Sequence, residues 1–268
     1  MIFTAFLSII LNSIIFGLHP ELIPEKKIPA QADFFAVGPL ENIYLIKGSQ
    51  LQKLEHKSNK TRNYSNLSFG KITSVDVSNP FKILIFYKDF NKIVFLDNNL
   101  SLVASPVSLD DLGYYHVSAI GSSNNGGFWL FDQSLNQIIY VDQELNTVHK
   151  SSTLTDVISQ DTGDETAFMQ EKKDYIYLGI KNQGILLFDI YGTYFKALPI
   201  KKAGKFQIIN DHISYLNDDN LYFYNLDNYN ETHIKMPKAG VKQAVIENRK
   251  LYIQSESVIY IYQLKNFK

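Results

Sequence analysis

One short pattern recurs six times along the chain, and it constrains the fold more than any other feature. Its clearest copy is Gly126-Gly127-Phe128-Trp129-Leu130-Phe131-Asp132, a turn, and then Leu135-Asn136-Gln137-Ile138-Ile139-Tyr140-Val141-Asp142. This reads as a β-hairpin whose second strand ends on an acid. The same ending returns at Leu54-Glu55, Leu96-Asp97, Phe188-Asp189 and Leu226-Asp227, with a degenerate sixth copy at Leu264-Lys265. Successive endings are 42, 45, 47, 38 and 38 residues apart.

A strand-rich period of about 40–45 residues is the length of a four-stranded propeller blade. The chain is therefore expected to be all-β, a six-bladed β-propeller with four antiparallel strands per blade. Second and third strands are near-continuous apolar runs, as in Phe81 to Tyr87 and Ile185 to Asp189, which suits blades buried on both faces. Outer strands are expected at 61–66, 100–107, 146–151, 194–200 and 231–236. Abundant Tyr and Phe against a single Trp match strand propensity.

The start of the chain has its own character. Residues 2–18 are apolar except for Thr4, Ser8, Asn12 and Ser13, so residues 1–18 read as a signal peptide or an N-terminal anchor. The folded body is then exported, to the periplasm or the outer-membrane periphery. Residues 19–30 form a linker or closing strand, with Pro20, Pro24 and Pro29 barring a helix. After the sixth hairpin only Asn266, Phe267 and Lys268 remain, too few for a fourth strand. The segment from Leu22 to Ile28 is the one available to complete that blade, since an outermost strand tolerates proline. Residues 31–268 form the propeller.

Charge and composition exclude several function classes. A formal net charge of -1 gives no electrostatic drive toward nucleic acid or an anionic membrane, so membrane contact is expected only through partners or an uncleaved N-terminal segment. The absence of cysteine removes disulfides, thiolate metal sites and lipidation of an N-terminal cysteine. His19, His56, His116, His149, His212 and His233 never fall at metal-binding spacing. Asp161-Thr162-Gly163 has the letters of an aspartic protease loop, but it has polar flanks and no second copy. The strand-end acids are assigned to their own turns, where a carboxylate accepts backbone amides. No catalytic residue, metal ligand or cofactor is expected.

The repeat of apolar hairpin, terminal acid and turn resembles secreted bacterial β-propellers of the six-bladed kind. Enzymes among propellers carry further marks, such as sialidase Asp-boxes or a tryptophan in most quinoprotein blades, and this chain has neither. What the resemblance implies is a non-catalytic interaction scaffold in the cell envelope, a subunit of an outer-membrane or type IX-like protein-secretion assembly. The rival readings are a glycan-binding propeller and a calcium-dependent lactonase-like hydrolase, the latter needing Asp, Glu or Asn from several blades together at the axis.

Two long connections between blades stand out as the docking candidates. One runs from Ser108 to Tyr115 and carries Asp110, Asp111, Tyr114 and Tyr115. The other, 154–165, carries Asp156, Asp161, Asp164 and Glu165. Acids beside exposed aromatics suit recognition of an envelope protein surface, and Tyr114-Tyr115 would offer a platform for a sugar ring.

Overall fold

The computed structural model describes residues 20–158, 167–202 and 204–267. The segment at 1–18 and the acids Asp161, Asp164 and Glu165 lie outside the described residues. Six four-stranded antiparallel sheets follow one another around a ring. Each is ordered from an inner strand to an outer one. The inner strands are Phe34–Val37, Ser74–Asp76, Val117–Ser122, Ala167–Lys172, Phe206–Ile209 and Val241–Glu247.

Period-2 geometry explains why the second strands are apolar throughout. Successive side chains leave opposite faces of a strand, and here both faces meet another blade. In Phe128–Asp132, Phe128 and Leu130 enter the cluster shared with blade 2, whereas Trp129 and Phe131 enter the one shared with blade 4. The same division holds in blade 1, where Tyr44 and Ile46 pack toward blade 2 while Phe35 and Leu45 pack toward blade 6. The core is a ring of inter-blade layers, with no single centre. Gly126 closes its turn at a φ of 93°, and a Cβ on Gly127 would lie 2.0 Å from the Val141 carbonyl oxygen.

Ring closure uses the N-terminal segment. Glu21–Pro29 is the outermost strand of blade 6, pairing antiparallel with Val258–Lys265 from Glu21↔Lys265 to Pro29↔Val258. A register shift between Pro24 and Lys26 accommodates a bulge, so the prolines fall on a strand with one free edge. Glu25 and Glu41 both bind Lys250 Nζ, at 3.2 and 2.9 Å, which ties the closing strand to blade 1.

Asp97, Asp142 and Asp189 cap their turns through backbone amides, whereas Glu55 accepts the Ser58 hydroxyl and Arg62 Nε. Asp97 Oδ1 accepts the amides of Asn99 and Ser101, and Asp189 Oδ1 accepts those of Tyr191 and Thr193. Blade 5 differs: Asn225, two residues before Asp227, accepts the amides of Asp227 and Asn228. Blade 2 departs from expectation at 100–107, where only Val107–Ser108 forms an outer strand. Pro106 has no amide to donate, and the gap is spanned by a Leu96↔Leu102 bridge and a Val103 to Phe95 backbone bond of 2.9 Å.

Candidate partner-binding face

In every blade the backbone bonds one strand connection to another on the same face. The residue entering each inter-blade connection donates to the turn between second and third strands: Ile72 to Gly48, Leu109 to Asn91, Leu154 to Asn136, Asn182 to Lys201 in the reverse sense, Met236 to Asp219, and Ala30 to Ser257. This connector face therefore presents both sets of loops. The opposite face presents the turns capped by the strand-end acids.

The first connection is rigid, and Asn91 is the reason. Its backbone is left-handed at a φ of 47°, and its Nδ2 donates to Asp110 Oδ1 at 2.6 Å and to the Tyr114 carbonyl at 2.5 Å. Leu112 and Tyr114 amides both return to the Leu109 carbonyl, and Gly113 closes the turn at a φ of 85°. This geometry reverses one expectation. Tyr114 is 3% exposed, its ring packs in the layer between blades 2 and 3, and its hydroxyl meets Thr147 Oγ1 at 2.5 Å. It holds the loop from beneath and offers no platform. Tyr115, the next residue, is 65% exposed, and Asp110 and Asp111 face solvent.

The described part of the second connection is anchored in the same way. Leu154 and Ile158 are buried between blades 3 and 4, and the amides of Val157 and Ile158 bond the Leu154 carbonyl. That leaves Asp156 and Val157 exposed beyond the anchor. Tyr115 and Asp156 thus lie on the connector face on either side of blade 3.

Sequence reasoning missed three neighbours on this face. Leu67 is 83% exposed in the connection from blade 1 to blade 2, Phe90 is 51% exposed in the second turn of blade 2, and Leu135 is exposed in that of blade 3. Phe90 lies against Gly70, where an added Cβ would sit 3.2 Å from its ring. The available signal was an apolar residue inside a polar turn, as in Lys88-Asp89-Phe90-Asn91.

The opposite face has its own exposed rings, Phe81, Tyr175, Tyr191, Phe195 and Tyr229. Lys196 occupies two of them, lying 5.6 Å from the Phe195 centroid and 4.9 Å from that of Tyr229, with a 3.1 Å bond to the Tyr229 hydroxyl.

Toward the axis, polar side chains bind the neighbouring blade. Gln243 bonds both the amide (3.0 Å) and the carbonyl (2.8 Å) of Phe35, and Gln207 does the same for Ile246. Gln170 accepts the Ile208 amide, Asp76 the Ser122 amide, and Glu171 the Asn124 amide together with the Trp129 indole N–H. The remaining seam is crossed by Lys53, whose buried Nζ donates to the carbonyl and side chain of Asn98. Among the described residues no three His, Cys, Asp or Glu side chains lie close enough to hold a metal ion.

No known family profile matches this sequence, and no curated protein does. Solved structures match by shape. A chain of the mitotic checkpoint complex superposes with a TM-score of 0.66 at 8% identity, covering 98% of this chain and 99% of that one. A streptogramin B lyase superposes at 0.59 with 14% identity, covering 93% and 88%. At such identities the likeness is one of fold, and it spans proteins of unrelated names. PorZ, a surface component of the type-IX secretion system of Porphyromonas gingivalis, matches at a TM-score of 0.45 and 9% identity, with 90% of this chain and 39% of that chain covered. That score is too low to carry an argument about this protein.

Proposed function

We propose that this protein is a non-catalytic interaction module of the bacterial cell envelope that docks a partner protein on its connector face, across blades 1 to 3. One observation carries the reading: Leu67, Phe90, Tyr115, Leu135 and Val157 are all exposed, and all lie on connections of that one face. Asp89, Asp110, Asp111 and Asp156 are exposed beside them. Apolar anchors within a polar rim are the composition of a protein interface, and loops pinned from beneath lose little entropy on binding. The apolar N-terminal run supports export. The finer assignment, to an outer-membrane or type IX-like secretion assembly, belongs to the same proposal.

The test is affinity purification of the tagged, full-length protein from its own envelope in mild detergent. A partner recovered at near-equal amount is expected. The variant Phe90→Ser, Asp111→Ser, Tyr115→Ser should melt like the parent and lose that partner. Full retention of the partner would place the interface elsewhere, and a protein that purifies alone would overturn the proposal.

A further inference from the structure

Among the described residues, every large apolar side chain exposed on blades 4 and 5 is aromatic: Tyr175, Tyr191, Phe195 and Tyr229. Tyr175, Phe195 and Tyr229 meet where those two blades adjoin, at the end away from the connector face. Phe195 is the extra residue of a bulge in the outer strand of blade 4, between the pairs Phe188↔Tyr194 and Leu187↔Lys196. A bulge re-aims the side chain that it carries. The Phe195 ring lies 6.3 Å from that of Tyr175, and the Lys196 ammonium joins it to Tyr229 of blade 5, at 5.6 and 4.9 Å from the two centroids.

Two of these rings are fixed from beneath. Tyr175 meets the buried Tyr177 edge to face at 6.5 Å, and Tyr229 tilts against the buried Tyr224 at 6.4 Å. The Tyr229 hydroxyl and the Lys196 ammonium, 3.1 Å apart, supply hydrogen-bonding groups beside the ring faces. Such a platform loses little entropy when a ligand settles on it.

Shape and charge select the occupant. A pyranose presents a face of C–H groups, whose partial positive charge suits the negative face of an aromatic ring, with hydroxyls at its rim. The aliphatic anchors of the connector face, Leu67, Leu135 and Val157, have no exposed counterpart among the described residues of blades 4 and 5. Acids bordering the patch are engaged: Asp211 by Lys173 at 2.8 Å, Asp189 by the amides of its turn, and Glu231 by the Tyr215 hydroxyl. Lys196, by contrast, has two rings and a phenol as its partners among the described residues. Its charge repels a basic ligand and remains to be matched by an anionic one.

We propose that this seam is a binding surface for acidic glycans, in which Tyr175, Phe195 and Tyr229 stack on sugar rings while Lys196 pairs with a uronate carboxylate. It lies on the face opposite the one that docks a partner protein and stands independently of that docking.

The experiment is affinity electrophoresis of the folded protein through gels containing polygalacturonate, its fully methyl-esterified form, or poly-L-glutamate. Wild type should be retarded by polygalacturonate, about threefold more weakly by the uncharged ester, and not by polyglutamate. Phe195→Leu and Tyr229→Leu keep apolar bulk but remove a ring; at these exposed positions they should melt like the parent and bind both sugar polymers about tenfold more weakly. Lys196→Gln should bring the acidic polymer down to the level of the ester. Phe81→Leu, which removes an exposed ring from blade 2 on the same face, should change nothing. The proposal is overturned if polygalacturonate does not retard wild type, if polyglutamate retards it equally, or if Phe195→Leu and Tyr229→Leu migrate as wild type does.

Discussion

Replacing Gln243 with Ala should open the seam at which the ring closes. Its side chain satisfies two backbone groups of Phe35, accepting from the amide at 3.0 Å and donating to the carbonyl at 2.8 Å. Phe35 is itself 1% exposed, so truncation leaves an amide and a carbonyl facing a space that only water could fill. Each buried polar group left unpaired costs about 1–3 kcal/mol. With partial rescue by water from the channel, a loss of about 2–4 kcal/mol is expected, which for a chain of this size lowers Tm by about 5–10 °C. The assay is chemical and thermal unfolding of Gln243→Ala beside Gln52→Ala. Gln52 also bonds through its side-chain amide, to Asn63 at 3.0 Å, but on an exposed outer surface within one blade, so its loss should stay within about 0.5 kcal/mol. Gln207→Ala should behave like Gln243→Ala, because it grips Ile246 by the same two bonds. If Gln243→Ala is as stable as Gln52→Ala, the seams are held by apolar packing alone and the reasoning fails.

Two further outcomes follow from the closure and from the turns. A chain beginning at residue 31 lacks the strand Glu21–Pro29 and bares the edge of Val258–Lys265; it should melt at least about 10 °C lower and aggregate through that edge, whereas an unchanged melt would refute the closure. Hydrogen bonds from the Ser58 hydroxyl and then the Arg62 guanidinium lower the Glu55 pKa from its ordinary 4.5 to about 2. A depressed folded-state value means that this contribution to stability is complete above pH 4.5 and fades as the pH falls toward 2. Glu55→Gln should flatten the stability curve over that window, and identical slopes for the two proteins would show that the pair does nothing.

The candidate site was half legible. Asp110, Asp111 and Tyr115 could be singled out because a long polar connection with acids is visible as an interruption between apolar runs. Tyr114 could not be told from Tyr115, since an irregular loop has no period to say which of two adjacent rings points inward. That was decided by Asn91, a residue of another turn, whose side chain grips the loop at Asp110 and Tyr114. Leu67 and Phe90 escaped notice for a related reason: short apolar interruptions of a polar turn are legible, but whether the side chain folds under or stays out depends on the neighbouring blade.

The sequence by itself determined the number of blades and the positions of their second and third strands. Those follow from repetition and from runs of side chains that leave both faces of a strand apolar. Only the tertiary structure decided how the blades are held to one another. Gln170, Gln207 and Gln243 occupy equivalent inner strands of three successive blades, yet a glutamine in a strand is unremarkable until the backbone it faces is known. The same holds for Lys205, an ordinary lysine before a strand, whose Nζ comes to lie 3.8 Å from the ring centroid of Phe34 in blade 1 only once six sheets close. Local pattern sets what a strand is, because it depends on side chains two residues apart. Polar pairing between blades depends on residues some forty positions away, and in the closing seam on residues 208 apart, so it appears only when the ring is complete.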